Sequence, residues 1–373
     1  MRVMLDVTAV PAKPVGAGVY TIELARHVAP HIDLHLAARH NDAERWREIA
    51  PAATVHAVAP SPRPQRLLWE QLGAPTLARR TSVDCWHGPH YTLPLRANVP
   101  MVVTVHDTTL IERPEWHETA KVIFFRRMIG AAAKRAGAIV AVSEYTARRT
   151  SDILRPTAPV LSVPHGVDHA NFHPSGYSDA AALTALAAYG IRTPYVAFTG
   201  THEPRKNIPG LIAAFARVAP EHPELTLVLS GPTGWGTEEV AAAVRTHDIA
   251  DRIVQPGRLP YEILPALFEQ AEVVAYPSFN EGFGLPALET LASGGVLLST
   301  SGSAVETFVD DAACLVPPGD DVALADALDA MLRDDTTRAT LRRRGPIVAA
   351  PYTWERSAEQ HIEAYRMAME AKA

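Results

Sequence analysis

Two glutamates, Glu281 and Glu289, bracket a glycine-rich string, EGFGLPALE. A carboxylate accepts hydrogen bonds from both hydroxyls of a vicinal diol, so each glutamate suits a sugar or ribose ring. Between them, the backbone N–H groups around Phe283, Gly284 and Leu285 point at any anion on the N-terminus of a following helix, and Gly282 and Gly284 let it come close. A diphosphate in that cradle has a sugar near Glu281 and a ribose near Glu289. That is the chemistry of a nucleotide-sugar site. Arg205 and Lys206, in GTHEPRKN, stand just before another expected helix and add their charges to a helix end that already favours anions. His106 and Asp107 directly follow an apolar run, Met101 to Val105, where ligands bind in open α/β sheets.

These residues need elements to hold them. Ala271 to Tyr276 reads as a buried strand, stopped by Pro277 and Ser278. Pro286 suits a first helical position, and Leu288, Leu291 and Ala292 give the apolar face of a helix. Glu289 then lies about one turn inside that helix, about 5 Å along its axis from the start. The two carboxylates therefore do not work as one pair, unlike those of a glycosidase. Two glutamates at this spacing occur by chance in many helices; the strand before, the glycines between and the helix after give the spacing its meaning. No acidic pair of the DxD type stands ready to hold a metal, so the expected metal set is none, and no cofactor is expected beyond the donor itself.

In this setting EGFGLPALE resembles the signature of the retaining glycosyltransferases of family 4, and GTHEPRKN resembles the mannosyltransferase-like members of that family. The resemblance covers nearly the whole chain. It implies an α/β GT-B fold, with two doubly wound Rossmann-like domains facing each other across a cleft. It also implies that Arg205 and Lys206 bind the donor diphosphate, that Glu281 orients sugar hydroxyls, and that His106 hydrogen-bonds the transferred sugar. Gly16 and Gly18 are carried over as a loop near donor and acceptor, and Gly257 and Arg258 as contacts near the nucleobase. Gly200 belongs to the donor loop. Many relatives place an arginine after that glycine, where this chain has Thr201, so more of the phosphate charge falls on Arg205 and Lys206. Asp107 holds the loop or faces the acceptor. His87 and Tyr91, in the loop of VDCWHGPHYTLPL, are expected on the acceptor side.

The donor reading favours GDP-mannose, with a growing glycan or lipid-linked saccharide as acceptor. UDP- or ADP-sugar transfer, and a sugar-nucleotide epimerase or glycoside phosphorylase of the same architecture, are the alternatives that keep the fold. A non-catalytic sugar-binding protein has no need of a diphosphate clamp. A dehydrogenase is disfavoured, because Thr21 stands where a dinucleotide fingerprint needs a small residue.

At 373 residues the chain suits two domains. The expected bounds are 1–170 for the acceptor-side domain, 177–350 for the nucleotide-sugar domain, and 351–373 for a helix crossing back to the first. The linker is expected near Pro164 to Gly176, with His165, His169 and His173 as polar linker residues rather than metal ligands. A net charge of -6, from 35 basic and 41 acidic residues, argues against general nucleic-acid binding. Cys85 and Cys314 suggest neither a disulfide framework nor a zinc site, which fits a reducing cytoplasm. No signal-peptide core or membrane-spanning run is read in the chain. Lys121, Arg126, Arg127, Lys134 and Arg135 surround Phe124, Phe125, Met128 and Ile129 in a basic amphipathic segment, 121–135, open to contact with the inner face of a membrane. The preferred reading of that segment is an ordinary core-facing helix with a solvated basic side.

Overall fold

The computed structural model describes residues 1–174 and 180–371. The chain forms two compact units: Met1–Gly166 together with the chain from Tyr352 onward, and Val167–Pro351. The division falls inside the expected linker, whose last residues, Ser175 and Gly176, lie outside the described residues together with the start of the expected second domain.

The first unit is built on seven parallel strands: β1 (Arg2–Asp6), β2 (Asp33–Arg39), β3 (Thr54–Ala59), β4 (Cys85–Gly88), β5 (Met101–Val105), β6 (Ala138–Ala141) and β7 (Val160–Ser162). Their spatial order is β3-β2-β1-β4-β5-β6-β7. The order reverses between β1 and β4, and the crevice beyond the carboxyl ends of two such strands is where ligands bind in open parallel sheets. β4, β5 and β6 are buried throughout, because helices cover both faces of a parallel sheet.

Six parallel strands make the second sheet: β8 (Tyr195–Thr199), β9 (Thr226–Ser230), β10 (Ile253–Gly257), β11 (Val273–Tyr276), β12 (Leu297–Thr300) and β13 (Ala313–Val316). The order is β10-β9-β8-β11-β12-β13, so its reversal lies between β8 and β11. Val273 and Val274 of β11 pair with Val196 and Ala197 of β8.

Local details refine the sequence reading. The single helix expected from Pro62 to Arg80 is two, Arg63–Leu72 and Ala74–Thr81. Pro75 lacks an N–H and its ring crowds the carbonyl one turn back, which breaks the first helix at its end. Ser143 caps the Glu144–Leu154 helix by accepting the Thr146 N–H at 3.0 Å. The Trp354–Glu370 helix packs on the Ala17–Val28 helix and on β4, β5 and β6 within the first unit.

His165 overturns its expected place as a polar linker residue. Only 4% exposed, it lies among the rings of Tyr20, His106 and Trp354 at centroid distances of 4.9, 6.1 and 5.7 Å. Its strand-end position buries it, whereas His169 is half-buried and His173 exposed.

Candidate functional site

In the second unit the loops after β8 and β11 flank the order reversal and carry the charged residues. The turn Pro204–Lys206 presents Arg205 and Lys206, and Asn207 then caps the Ile208–Val218 helix in a left-handed conformation. The Phe279 N–H donates to the Arg205 carbonyl at 2.8 Å, tying the two loops together. Glu281, 5% exposed, accepts from Lys206 Nζ at 2.6 Å on one oxygen and from Arg205 at 2.9 Å on the other. Arg205 also pairs with Glu203 at 2.8 Å. Lys206 Nζ donates to the Tyr276 hydroxyl and sits 4.5 Å from the centre of that ring. Burial alone would raise the Glu281 carboxyl, but the two cations outweigh it and hold the group down at about 2. Burial, followed by the neighbouring guanidinium, pulls Lys206 below its ordinary value. The result is a buried, ionised cluster with matched charge.

The Leu285–Ala292 helix starts directly after this cluster. Gly284 at its start has φ +98°, and a Cβ there would meet Val305 Cγ2 at 2.6 Å, so both backbone and space require glycine. Phe283 stacks on Phe308 with centroids 5.2 Å apart, fixing the turn that aims the loop. Leu285 opens the helix with its side chain buried. Glu289, one turn in, has no hydrogen-bond partner for its carboxylate among the described residues. Burial first, and then the Asp168 carboxylate, push it up to about 7. Glu281 and Glu289 thus differ sharply: the first is ionised and bound by cations, the second is poised to titrate.

The remaining expected donor residues lie at strand ends of the same sheet. Gly200 follows β8 and Gly257 ends β10, whose carbonyl accepts the Gly231 N–H at 2.9 Å. Arg258 is exposed just beyond. Gly282 is buried in the loop after Glu281.

The first unit holds the others. Gly16 precedes the Ala17–Val28 helix at φ +45°, and Gly18 is buried in the helix's first turn. His106 follows β5 and is half-buried, its Nε2–H donating to the Pro89 carbonyl at 2.7 Å. That bond fixes the tautomer and leaves Nδ1 as an acceptor. Burial lowers the pKa, so the ring is held neutral. Tyr91 packs edge-on against it, with centroids 5.5 Å apart. Asp107 accepts on Oδ1 from the Thr109 N–H at 3.0 Å and the Thr109 hydroxyl at 2.7 Å, bonds that hold the start of the loop.

Two expectations are corrected. Glu281 has both oxygens occupied by Arg205 and Lys206 and does not stand open to sugar hydroxyls, because the cations that the sequence placed in a separate clamp fold onto it. His87 does not face an acceptor. It is fully buried, with Nδ1 2.9 Å from the Tyr365 hydroxyl and Nε2 2.8 Å from the Thr104 hydroxyl. Its place inside β4, rather than in the loop after it, explains the difference.

Sequence reasoning missed Tyr276 and Glu203. Tyr276 carried a signal, as the last residue of a strand beside the order reversal. Glu203 lies two positions before Arg205, a spacing too common to mark a partner.

Matching family models divide the chain along similar lines: "Glycosyltransferase Family 4" over residues 14–171 and "Glycosyl transferases group 1" over residues 189–347. The O-antigen chain mannosyltransferase B of Escherichia coli is 30% identical over 284 residues, covering 76% of this chain and 74% of that protein. The D-inositol 3-phosphate glycosyltransferase of Kribbella flavida is 30% identical over 399 residues, covering 96% of this chain and 92% of its own length. Among solved structures, sucrose-phosphate synthase from Thermosynechococcus elongatus is similar with a TM-score of 0.81, at 22% identity and over 98% of each chain. The chain belongs to the family 4, group 1 glycosyltransferases and has their GT-B fold of two Rossmann-like parallel sheets.

Proposed function

We propose that this glycosyltransferase moves mannose from GDP-mannose to a glycan or lipid-linked saccharide, with retention at the anomeric carbon and without a metal. The buried Arg205–Lys206–Glu281 cluster beside the Gly284 helix start is the observation that carries the reading. Cleavage of the bond between the anomeric carbon and the diphosphate oxygen leaves negative charge on the diphosphate and positive charge on the sugar. Two cations and a helix N-terminus in a water-poor setting oppose the first of these with little reorganisation. Glu281 keeps the cations aimed and charged before the donor arrives.

In this reading the acceptor hydroxyl attacks the face that the diphosphate leaves and passes its proton to the departing phosphate oxygen. His106 Nδ1 accepts from a hydroxyl of the transferred sugar, and Glu289 accepts from the ribose diol. Gly16, Gly18, Gly200, Gly257, Arg258 and Gly282 shape the backbone around the donor. The mannose assignment is supported by the similarity to a mannosyltransferase over most of the chain.

Among the described residues no helix is long and apolar enough to cross a membrane. In the Thr119–Arg135 helix, Ile123 is 54% exposed and Arg126, Arg127 and Lys134 are exposed beside it. We include in the proposal a cytoplasmic protein that meets the inner face of a membrane through this surface when its acceptor is lipid-linked. Proton NMR of GDP-mannose with mannosylated acceptors, without added metal, tests the reaction. Loss of the donor anomeric signal with growth of an α-linked product supports it; turnover of UDP- or ADP-sugars alone removes the mannose assignment.

A further inference from the structure

The order reversal of the first sheet, between β1 and β4, carries a polar recess that the donor chemistry does not use. Asp6 ends β1 and Gly88 ends β4, and both line a cavity of about 40 Å³ together with Thr8, Arg66, Glu70 and His90. Asp6 is 7% exposed. Its Oδ1 accepts from the Thr8 N–H at 3.0 Å and the Thr8 hydroxyl at 2.7 Å, while Oδ2 has no donor among the described residues. Glu70 is 8% exposed and accepts from the Thr92 hydroxyl at 2.8 Å and from Gln71 at 2.9 Å. Arg66 stands one turn before Glu70 on the Arg63–Leu72 helix, so both side chains emerge on one face. Its half-buried guanidinium has no hydrogen-bond or ion-pair partner among the described residues. Pro89 also lines the recess, and its carbonyl takes the His106 Nε2–H, so the recess adjoins the strand-end histidine.

The open carboxylate oxygen of a buried aspartate and a guanidinium with open donors, facing one small cavity, form an acceptor and a donor waiting for a ligand that supplies the opposite of each. A hydroxyl does both. Since one water needs about 10–15 Å³ of such space, the recess of about 40 Å³ admits about three hydroxyl-sized groups, which is one edge of a sugar ring. Charge selects further. Burial and then the Asp6 carboxylate push Glu70 up to about 8, and burial raises Asp6 as well, so at neutral pH the two carboxyls share one proton and a single negative charge stands against Arg66. A phosphate would meet the Asp6 carboxylate and an ammonium would meet the guanidinium, whereas a neutral polyol meets neither penalty.

We propose that Asp6 and Arg66 form a subsite for a neutral pyranose acceptor, Asp6 Oδ2 accepting from one ring hydroxyl and Arg66 donating to its neighbour. The inference rests on the glycosyltransferase reading and names the substrate class on the acceptor side. It makes these two residues specificity determinants, with no part in donor binding.

Saturation-transfer NMR on the full chain, with methyl α-mannoside, methyl α-glucoside and methyl α-galactoside as probes, tests it beside calorimetric titration with GDP-mannose. Wild type should bind at least one glycoside, and Asp6→Asn and Arg66→Ala should each weaken that binding by about tenfold or more while GDP-mannose affinity stays within about twofold. Arg66→Ala removes no protein hydrogen bond, so it carries the test if Asp6→Asn fails to fold. Glycoside binding that is equal in wild type and Arg66→Ala overturns the subsite, as does the absence of any glycoside binding in a wild type that binds GDP-mannose. Displacement of the glycoside by inorganic phosphate at equal concentration overturns the neutral-ligand choice. Glycoside binding lost in the variants, with no nucleotide sugar bound by any of the proteins, keeps the subsite and removes the donor reading instead.

Discussion

Glu289 and Glu281 show how little residue type says without surroundings. Burial and Asp168 hold Glu289 near 7, so at pH 6 it is mostly protonated and accepts poorly from a ribose diol. Nucleotide-sugar affinity should therefore rise with pH through about 7 in wild type and lose that dependence in Glu289→Gln, as calorimetry between pH 5.5 and 8.5 would show. A folded pKa raised above its unfolded value stabilises the fold below about pH 4.5, and that contribution is lost as pH climbs through 7. Glu281 runs the other way. Held at about 2, its contribution is present above the unfolded value of 4.5 and is lost as pH falls toward 2. Lys206→Met leaves Glu281 buried with one cation and should cost on the order of 3 kcal/mol, measured by denaturant unfolding at pH 7. At pH 3 the difference from wild type should shrink. The sequence named both glutamates and both cations, yet spacing along a chain cannot reveal that Arg205 and Lys206 fold back onto a residue more than seventy positions away.

At the scale of elements, the loop from Tyr276 to Leu285 depends on one backbone conformation. Gly284→Ala places a Cβ against Val305 in a left-handed conformation, which should cost about 1–3 kcal/mol and tilt the helix amides away from an anion. A fall in Tm with at least a tenfold loss of nucleotide-sugar affinity is the expected result; an unchanged affinity would show that the helix start does not hold phosphate. This element was legible because its glycines, its proline and its helical periodicity each carry a local physical meaning. The strand alternation was legible for the same reason. His87 was misread because a histidine within a buried strand and one in the loop after it look alike in sequence; only the Tyr365 and Thr104 partners distinguish them. The recess of Asp6, Arg66 and Glu70 left no sequence signal, since strand pairing and a helix from another part of the chain bring these three together.

For the whole molecule, the first unit is closed by a chain of hydrogen bonds reaching the C-terminal helix. His361 Nδ1–H donates to the Ser357 carbonyl at 2.7 Å, so Nε2 accepts from the Tyr20 hydroxyl at 2.8 Å. Thr104 links Tyr20 to His87, and the Tyr365 hydroxyl donates to His87 Nδ1 at 2.9 Å. Every link requires neutral imidazoles. Burial lowers His361 to about 4 and His90 to about 3, with neighbouring histidines adding to the effect. The histidine contribution to stability should be fully present above about pH 6.5 and fall with acidification, opposite in sign to that of Glu289; His361 alone should lose about 3 kcal/mol by pH 4. Tyr365→Phe leaves His87 Nδ1 unsatisfied and should cost about 1–3 kcal/mol at pH 7. Circular dichroism melts of wild type, Tyr365→Phe and His361→Gln from pH 8 to pH 4 would check both; a gap between wild type and His361→Gln that does not change with pH would show that the histidine gains its proton without penalty. In the function proposed above, the second unit binds a nucleotide sugar through its Arg205–Lys206–Glu281 cluster and Glu289. Calorimetric titration of GDP-, UDP- and ADP-sugars into wild type and Glu289→Ala tests it most directly. Selective binding of GDP-mannose by wild type, weakened by about tenfold or more in Glu289→Ala, is the expected result; no binding of any nucleotide sugar to folded wild-type protein would overturn it.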